Sequence, residues 1–126
     1  MSNSDRVRAF IDAFNRNDID AVASFFTDDA VYHNMPVAPI VGRAAIHANI
    51  AGYTTPAVQI EWLLYAVAES ANGTVLTERL DRFLMGGKWV ELPVMGAFEF
   101  DGGKISAWRD YFDMNQFTSQ LPGSKP

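Results

Sequence analysis

No cysteine occurs in the 126 residues. That excludes a disulfide framework and leaves no thiolate for metal binding, redox exchange or nucleophilic attack. Histidine is nearly as scarce, and neither His33 nor His47 makes a metal-ligand pattern with an acidic residue, so no metal is expected. Lysine and arginine form no run and the formal net charge is -5; a nucleic-acid partner, which rests on clustered cations, is not expected. No apolar run approaches the ~20 residues of a membrane span. The start of the chain, with Asp5, Arg6 and Arg8, also lacks the apolar centre of a signal peptide. A soluble protein of the reducing cytoplasm is the plain expectation. The glycine pairs Gly86-Gly87 and Gly102-Gly103 lack phosphate-loop spacing and read as turns.

What is present is the composition of a folded chain, with 48% apolar and 20% charged residues. The length suits one core and is short for two, so residues 1–126 are expected to form a single domain. Val7, Phe10, Ile11 and Phe14 recur at helical spacing, with Ser2 or Ser4 as cap. Asn15 to Asp18 breaks that pattern, and Asp18 caps a second short helix in which Ile19, Val22 and Phe26 share a side. Thr27 to Asp29 ends it; Ala30 to His33 reads as a short strand running into a Pro-punctuated loop, Asn34 to Pro39. Gly42 to Ala51 predicts a third helix, with Ile46 and Ile50 on one side and Gly52 as its stop.

From Ala57 the hydrophobic period becomes two. Four strands are predicted, Val58 to Ala68, Thr74 to Met85, Lys88 to Phe100 and Lys104 to Phe112, joined by short Gly-rich links that suit antiparallel neighbours. Asp113 caps a short terminal helix through Phe117, and the tail from Pro122 to Pro126 is expected to be loose. Helices followed by a run of antiparallel strands predict an α+β fold with the helices on one face of the sheet. A sheet of such long strands twists and curls, and helices cupped against it leave a hollow.

One strand carries an anomaly. Alternation along Thr77 to Phe83 places Thr77, Arg79, Asp81 and Phe83 on one face and Glu78, Leu80 and Arg82 on the other. A charged pair thus sits among apolar neighbours, where charges are seldom found unless paired. The strand from Lys104 puts Trp108, Asp110 and Phe112 on one face. If the two faces meet, Arg79 lies between two carboxylates, and its planar fork of five donors can hold both. Two carboxylates around one buried cation cannot both be ionised cheaply, so one keeps a proton. This supplies an acid and a base in one pocket, suited to hydrolysis of a strained ether by a deprotonated water. Tyr32 and Asn34 share a side of the short strand and can hold that water. Arg-Asp pairs across antiparallel strands are also common structural features, and the pattern alone favours a salt bridge that holds the sheet together over a catalytic pair. Arg82, Glu78, Arg109 and Asp113 read as solvated or interface charges.

Tyr32-His33-Asn34-Met35-Pro36, Glu78-Arg79-Leu80-Asp81 and Trp108-Arg109-Asp110-Tyr111-Phe112-Asp113 resemble the signature segments of limonene-1,2-epoxide hydrolases. The resemblance extends from the first helix through Phe117. It implies a cone-shaped α+β barrel of the cystatin-like superfamily, shared with nuclear transport factor and ketosteroid isomerase. The sheet there is strongly curved, mixed and mainly antiparallel, with three to four helices on its concave side. It also implies a homodimer that needs no cofactor or metal and opens small apolar, cyclic or terpenoid epoxides to vicinal diols in one step. Residue by residue, the resemblance makes Asp110 the base that activates water and Asp81 the acid that protonates the epoxide oxygen. Arg79 would bridge the two, and Tyr32 and Asn34 would hold the water. Trp108 would be a pocket wall, with Phe83 and Phe112 as apolar lining. Two rivals share the pattern: an isomerase or polyketide cyclase of the same fold, with Asp110 taking a proton from carbon, and a non-catalytic module that binds an apolar small molecule.

Overall fold

Ser2 starts the first helix by a reciprocal cap. In the computed structural model, which describes residues 1–123, the Ser2 hydroxyl accepts from the Asp5 N–H at 3.0 Å while the Asp5 carboxylate accepts from the Ser2 N–H. Helix α1 (Asn3–Asn15) follows, burying Val7, Phe10, Ile11 and Phe14. Of the tail expected to be loose, Ser124 to Pro126 lie outside the described residues. Asn17 takes a left-handed φ of 54° between the helices. The Asp18 carboxylate accepts from the Ala21 N–H and begins α2 (Ile19–Ser24).

Phe26 is not on the second helix but opens strand β1 (Phe26–Asn34), which is therefore longer than Ala30 to His33. The reason is pairing: Phe26 bridges Ile105, and the Phe25 carbonyl accepts from the Ile105 N–H at 2.8 Å. A register shift between Phe26 and Val31 absorbs the acidic segment between them. After a short strand β2 (Ile40–Val41), which sequence periodicity does not reveal, helix α3 (Arg43–Thr54) begins at Gly42, φ 97°. It continues through Gly52, which was expected to stop it, and ends at the residues before Pro56. A single glycine lowers helix propensity by about 1 kcal/mol, too little to outweigh the burial of Ile46, Ile50 and Thr54, whereas a proline disfavours helix in the residue before it.

Strands β3 (Gln59–Glu69), β4 (Val75–Met85), β5 (Lys88–Asp101) and β6 (Lys104–Tyr111) form the expected meander, and α4 (Met114–Thr118) starts at Asp113, whose carboxylate accepts from the Asn115 and Gln116 N–H groups. The sheet has the order β2-β1-β6-β5-β4-β3, with β1 parallel to β6 and all other neighbours antiparallel. It is mixed and mainly antiparallel, but open: β2 and β3 are its edges, so the cone is a curled sheet and not a closed barrel. Register shifts in β3, near Leu64 to Ala66, and between β5 and β6, near Glu99 and Phe100, bend the strands.

One face of this sheet meets the helices. Val75, Phe83, Val90, Phe98, Ile105 and Trp108 join Phe10, Phe14, Val22, Ile46 and Ile50 in one buried cluster. Asn15 ties α1 to the edge strand, donating to the Trp62 carbonyl at 3.1 Å and accepting from the Trp62 N–H at 2.6 Å. Along β4 the alternation is complete: Val75, Thr77, Arg79, Asp81, Phe83 and Met85 are all buried, and the residues between them are not.

Candidate active site

The topology decides where the charges of β4 meet those of β6. Strand β5 lies between them, and its Gly96 is directly opposite both Thr77 on β4 and Asp110 on β6. Arg79 reaches across β5 over this residue. A Cβ at Gly96 would lie 2.5 Å from Arg79 Nη1 and 2.6 Å from Asp110 Oδ1, so only glycine leaves the passage open. A lone glycine inside a strand signals such a close approach; the sequence contained the signal at Gly96, but it was not among the residues singled out.

All five Arg79 N–H donors are placed. Nε donates to Asp81 Oδ1 at 3.0 Å and Nη2 to Asp81 Oδ2 at 2.9 Å. Nη2 also donates to Asp110 Oδ2 at 2.8 Å, and Nη1 to Asp110 Oδ1 at 3.2 Å and Thr77 Oγ1 at 3.1 Å. Asp110 Oδ1 accepts a further bond from Trp108 Nε1 at 2.7 Å. Trp62 covers the guanidinium, with Cζ 5.0 Å from the ring centroid. All three charged groups are buried. Burial works against the Arg79 charge, but Asp110 and Asp81 outweigh it and hold the guanidinium more firmly protonated than usual. Burial pushes the Asp81 carboxyl up to about 6, against the opposing pull of Arg79 and with a further push from Asp110. Asp81 thus keeps a proton to higher pH than an ordinary carboxyl does.

Beside these charges lies a cavity of about 500 Å³ including its open mouth, the size range of small-molecule sites. Asp81 and Asp110 line it, as do Tyr32, Asn34, Phe83 and Phe112. Seven of the eight residues predicted from sequence therefore surround this space or, for Arg79, sit directly behind its carboxylates. Trp108 differs from the expectation of a pocket wall. It lies deeper, stacked between Tyr32 (centroids 4.2 Å) and Phe98 (5.5 Å), and reaches the site through its bond to Asp110. Burial raises the Tyr32 phenol above its usual range, with Asp110 adding to the shift, so it stays protonated.

The rest of the wall was missed in the sequence. Leu92 and Val94 of β5 and Met114 and Phe117 at α4 supply apolar surface, and Trp62 and Tyr53 close the other side. Leu92 and Val94 follow from the period of two. Tyr53 lies at i+7 from Ile46 and i+3 from Ile50, the spacing of one helix face, and was hidden by ending the helix at Gly52. The outward charges pair on the surface: Arg82 with Glu61 at 2.6 Å and over the Trp89 ring, Arg109 with Glu99. Among the described residues no group of His and acidic side chains could hold a metal ion.

Comparison with known proteins joins this geometry to a chemistry. The family described as the limonene-1,2-epoxide hydrolase catalytic domain matches residues 1–123. The epoxide hydrolase EphG of Mycobacterium tuberculosis is 37% identical over 122 residues, covering 93% of this chain and 78% of that protein. A solved LEH-like epoxide hydrolase from M. tuberculosis superposes with a TM-score of 0.80 at 32% identity, covering 94% of this chain and 88% of the other. A protein of ketosteroid isomerase-like fold from Catenulispora acidiphila has a TM-score of 0.81 at 19% identity, covering 96% and 97%, a likeness of fold alone.

The passage over Gly96 gives a direct test. Gly96→Ala should cost about 1–3 kcal/mol of stability, the usual range for overpacking a filled interior, as measured by urea denaturation. Parent stability would mean that Arg79 and Asp110 can move apart at little cost.

Proposed function

Because the chain belongs to the limonene-1,2-epoxide hydrolase family and is an epoxide hydrolase, we propose that it converts small apolar epoxides, cyclic or terpenoid, to vicinal diols in one acid/base step. The observation that carries this reading is the buried Asp81-Arg79-Asp110 chain at the wall of an apolar cavity. With Asp81 protonated the group is neutral as a whole, which lowers the cost of burying it.

In this mechanism Tyr32, Asn34 and Asp110 hold a water against one epoxide carbon. Asp110 takes a proton from it; Oδ2 has one donor against the two on Oδ1 and so has the freer lone pair. The water oxygen bonds to carbon, the carbon–oxygen bond of the ring breaks, and Asp81 gives its proton to the departing oxygen. The product is a diol, and the enzyme is left with Asp110 protonated and Asp81 ionised, so one proton must pass between them through solvent before the next turnover. Arg79 keeps both carboxylates in place in either state. Phe83 and Phe112 contact the apolar body of the substrate. The chemistry uses no cofactor or metal, since water, acid and base complete the balance.

The wider setting follows from the same chain. We place it in the cytoplasm as one domain over residues 1–126, with no nucleic-acid partner. The lack of cysteine and the net charge of -5 support this, and among the described residues no helix is long and apolar enough to cross a membrane. The assembly is a homodimer. Leu76, Met95 and Tyr111 stand on the sheet face away from the helices, exposed at 50%, 53% and 49%, and a second copy of the same face would cover them.

The proposal is tested with limonene 1,2-epoxide. Asp110→Asn and Asp81→Asn should each lower kcat, normalised to the folded fraction, by at least ~100-fold; turnover at the parent rate by either refutes the assigned role. Asp81 must be protonated to act as the acid, so kcat/KM should fall as pH rises above about 6. The same shift acts on stability: the folded state holds this proton more tightly than the unfolded chain, so the contribution is complete below the ordinary 3.8 and lost as pH rises through about 6. A flat rate profile from pH 5 to 8 would contradict the acid assignment. Light scattering should give twice the 14.0 kDa chain mass, and Met95→Arg should shift the protein toward monomer; a monomeric parent refutes the dimer.

A further inference from the structure

One hydrogen bond at the cavity wall is unused by that mechanism. Tyr53, in the last turn of α3, places its hydroxyl 3.1 Å from that of Tyr32, lines the same cavity, and meets Phe83 edge-on at 6.0 Å between ring centroids. A phenol oxygen carries one proton and two lone pairs. Around the Tyr32 oxygen stand the Tyr53 hydroxyl, the Asn34 side-chain amide and, on the side of the charges, the Asp110 carboxylate.

We propose that Tyr53 is a positioning residue for epoxide hydrolysis, donating to the Tyr32 oxygen so that the Tyr32 O–H points at the attacking water. The role rests on the hydrolase reading above. The charge of Asp110 fixes the direction of the bond. The negative Asp110 repels the Tyr32 lone pairs and attracts its proton, which favours Tyr32 giving its hydrogen toward the charged side of the cavity rather than to Tyr53. With Tyr53 and Asn34 both donating, the two lone pairs of Tyr32 are occupied and its proton has one destination left. A water that accepts from Tyr32 and gives its two hydrogens to Asp110 and to the Asn34 side-chain oxygen has a single lone pair free, and that lone pair faces the epoxide carbon. If Tyr32 instead donated to Tyr53, the water would keep two free lone pairs and no fixed direction of attack. The burial that raises the Tyr53 phenol well above its usual range keeps it in the protonated, donating form.

The test is a double-mutant cycle on limonene 1,2-epoxide with the parent, Tyr53→Phe, Tyr32→Phe and the double variant, each kcat normalised to the folded fraction. Tyr53→Phe should lower kcat about 10-fold with KM within about 2-fold of the parent. In the Tyr32→Phe background the same change should cost less than about 2-fold, because there is no longer a hydroxyl to orient. Equal losses in both backgrounds, or a parent kcat in Tyr53→Phe, overturn the proposal. A parent that makes no diol from the epoxide refutes the hydrolase reading and this role with it; an active parent beside an unaffected Tyr53→Phe refutes the role of Tyr53 alone.

Discussion

The structure depends on one buried guanidinium. Arg79 donates to Asp81 and Asp110 with four of its hydrogen bonds and to Thr77 with the fifth. A buried cation with one partner missing leaves an uncompensated charge, and breaking such a pair costs about 3–5 kcal/mol. The fold is arranged to prevent this. Strand β5 passes beneath the arginine with a glycine, Trp62 covers one face of the guanidinium, and Trp108 supplies the extra donor that Asp110 needs.

The same constraint prepares the chemistry. A cluster of Arg and two ionised Asp inside an apolar cup would carry a net negative charge, and burial opposes this by pushing the Asp81 carboxyl up to about 6. In the proposed mechanism the cost of burying charge favours Asp81 as the acid, and the donors around Asp110 hold its carboxylate in place to act as the base. A cross-strand salt bridge and a catalytic pair have similar sequence patterns. They differ in what adjoins them, and here the carboxylates open onto a cavity whose remaining wall is mostly apolar. The isomerase and binding-module readings share that cavity, and membership of an epoxide hydrolase family favours hydrolysis over both.

Much of this was legible in the sequence because strands have a period of two. Alternation alone puts Arg79 beside Asp81 and Asp110 beside Trp108, and long strands joined by glycine turns bring the two faces to the same side. What the sequence concealed depends on register or on small competing energies. Gly96 matters only because it lies opposite both Thr77 and Asp110, a fact of pairing across three strands. Gly52 reads as a helix stop in the local pattern, but the burial of Ile46 and Ile50 carries the helix to Thr54 and brings Tyr53 to the cavity. Phe26 fits a helix face as well as a strand until Ile105 is available to pair with it. Trp108 was placed correctly by face but one layer too shallow, since alternation gives direction and not depth.

The most direct measurement is a single turnover of limonene 1,2-epoxide by excess enzyme in heavy-oxygen water, with the diol analysed by mass spectrometry. Direct attack by a water held at Asp110 predicts that diol from the first turnover carries the label. Unlabelled diol in that turnover would mean that a carboxylate had attacked carbon first, and the acid/base account of Asp81 and Asp110 would be wrong.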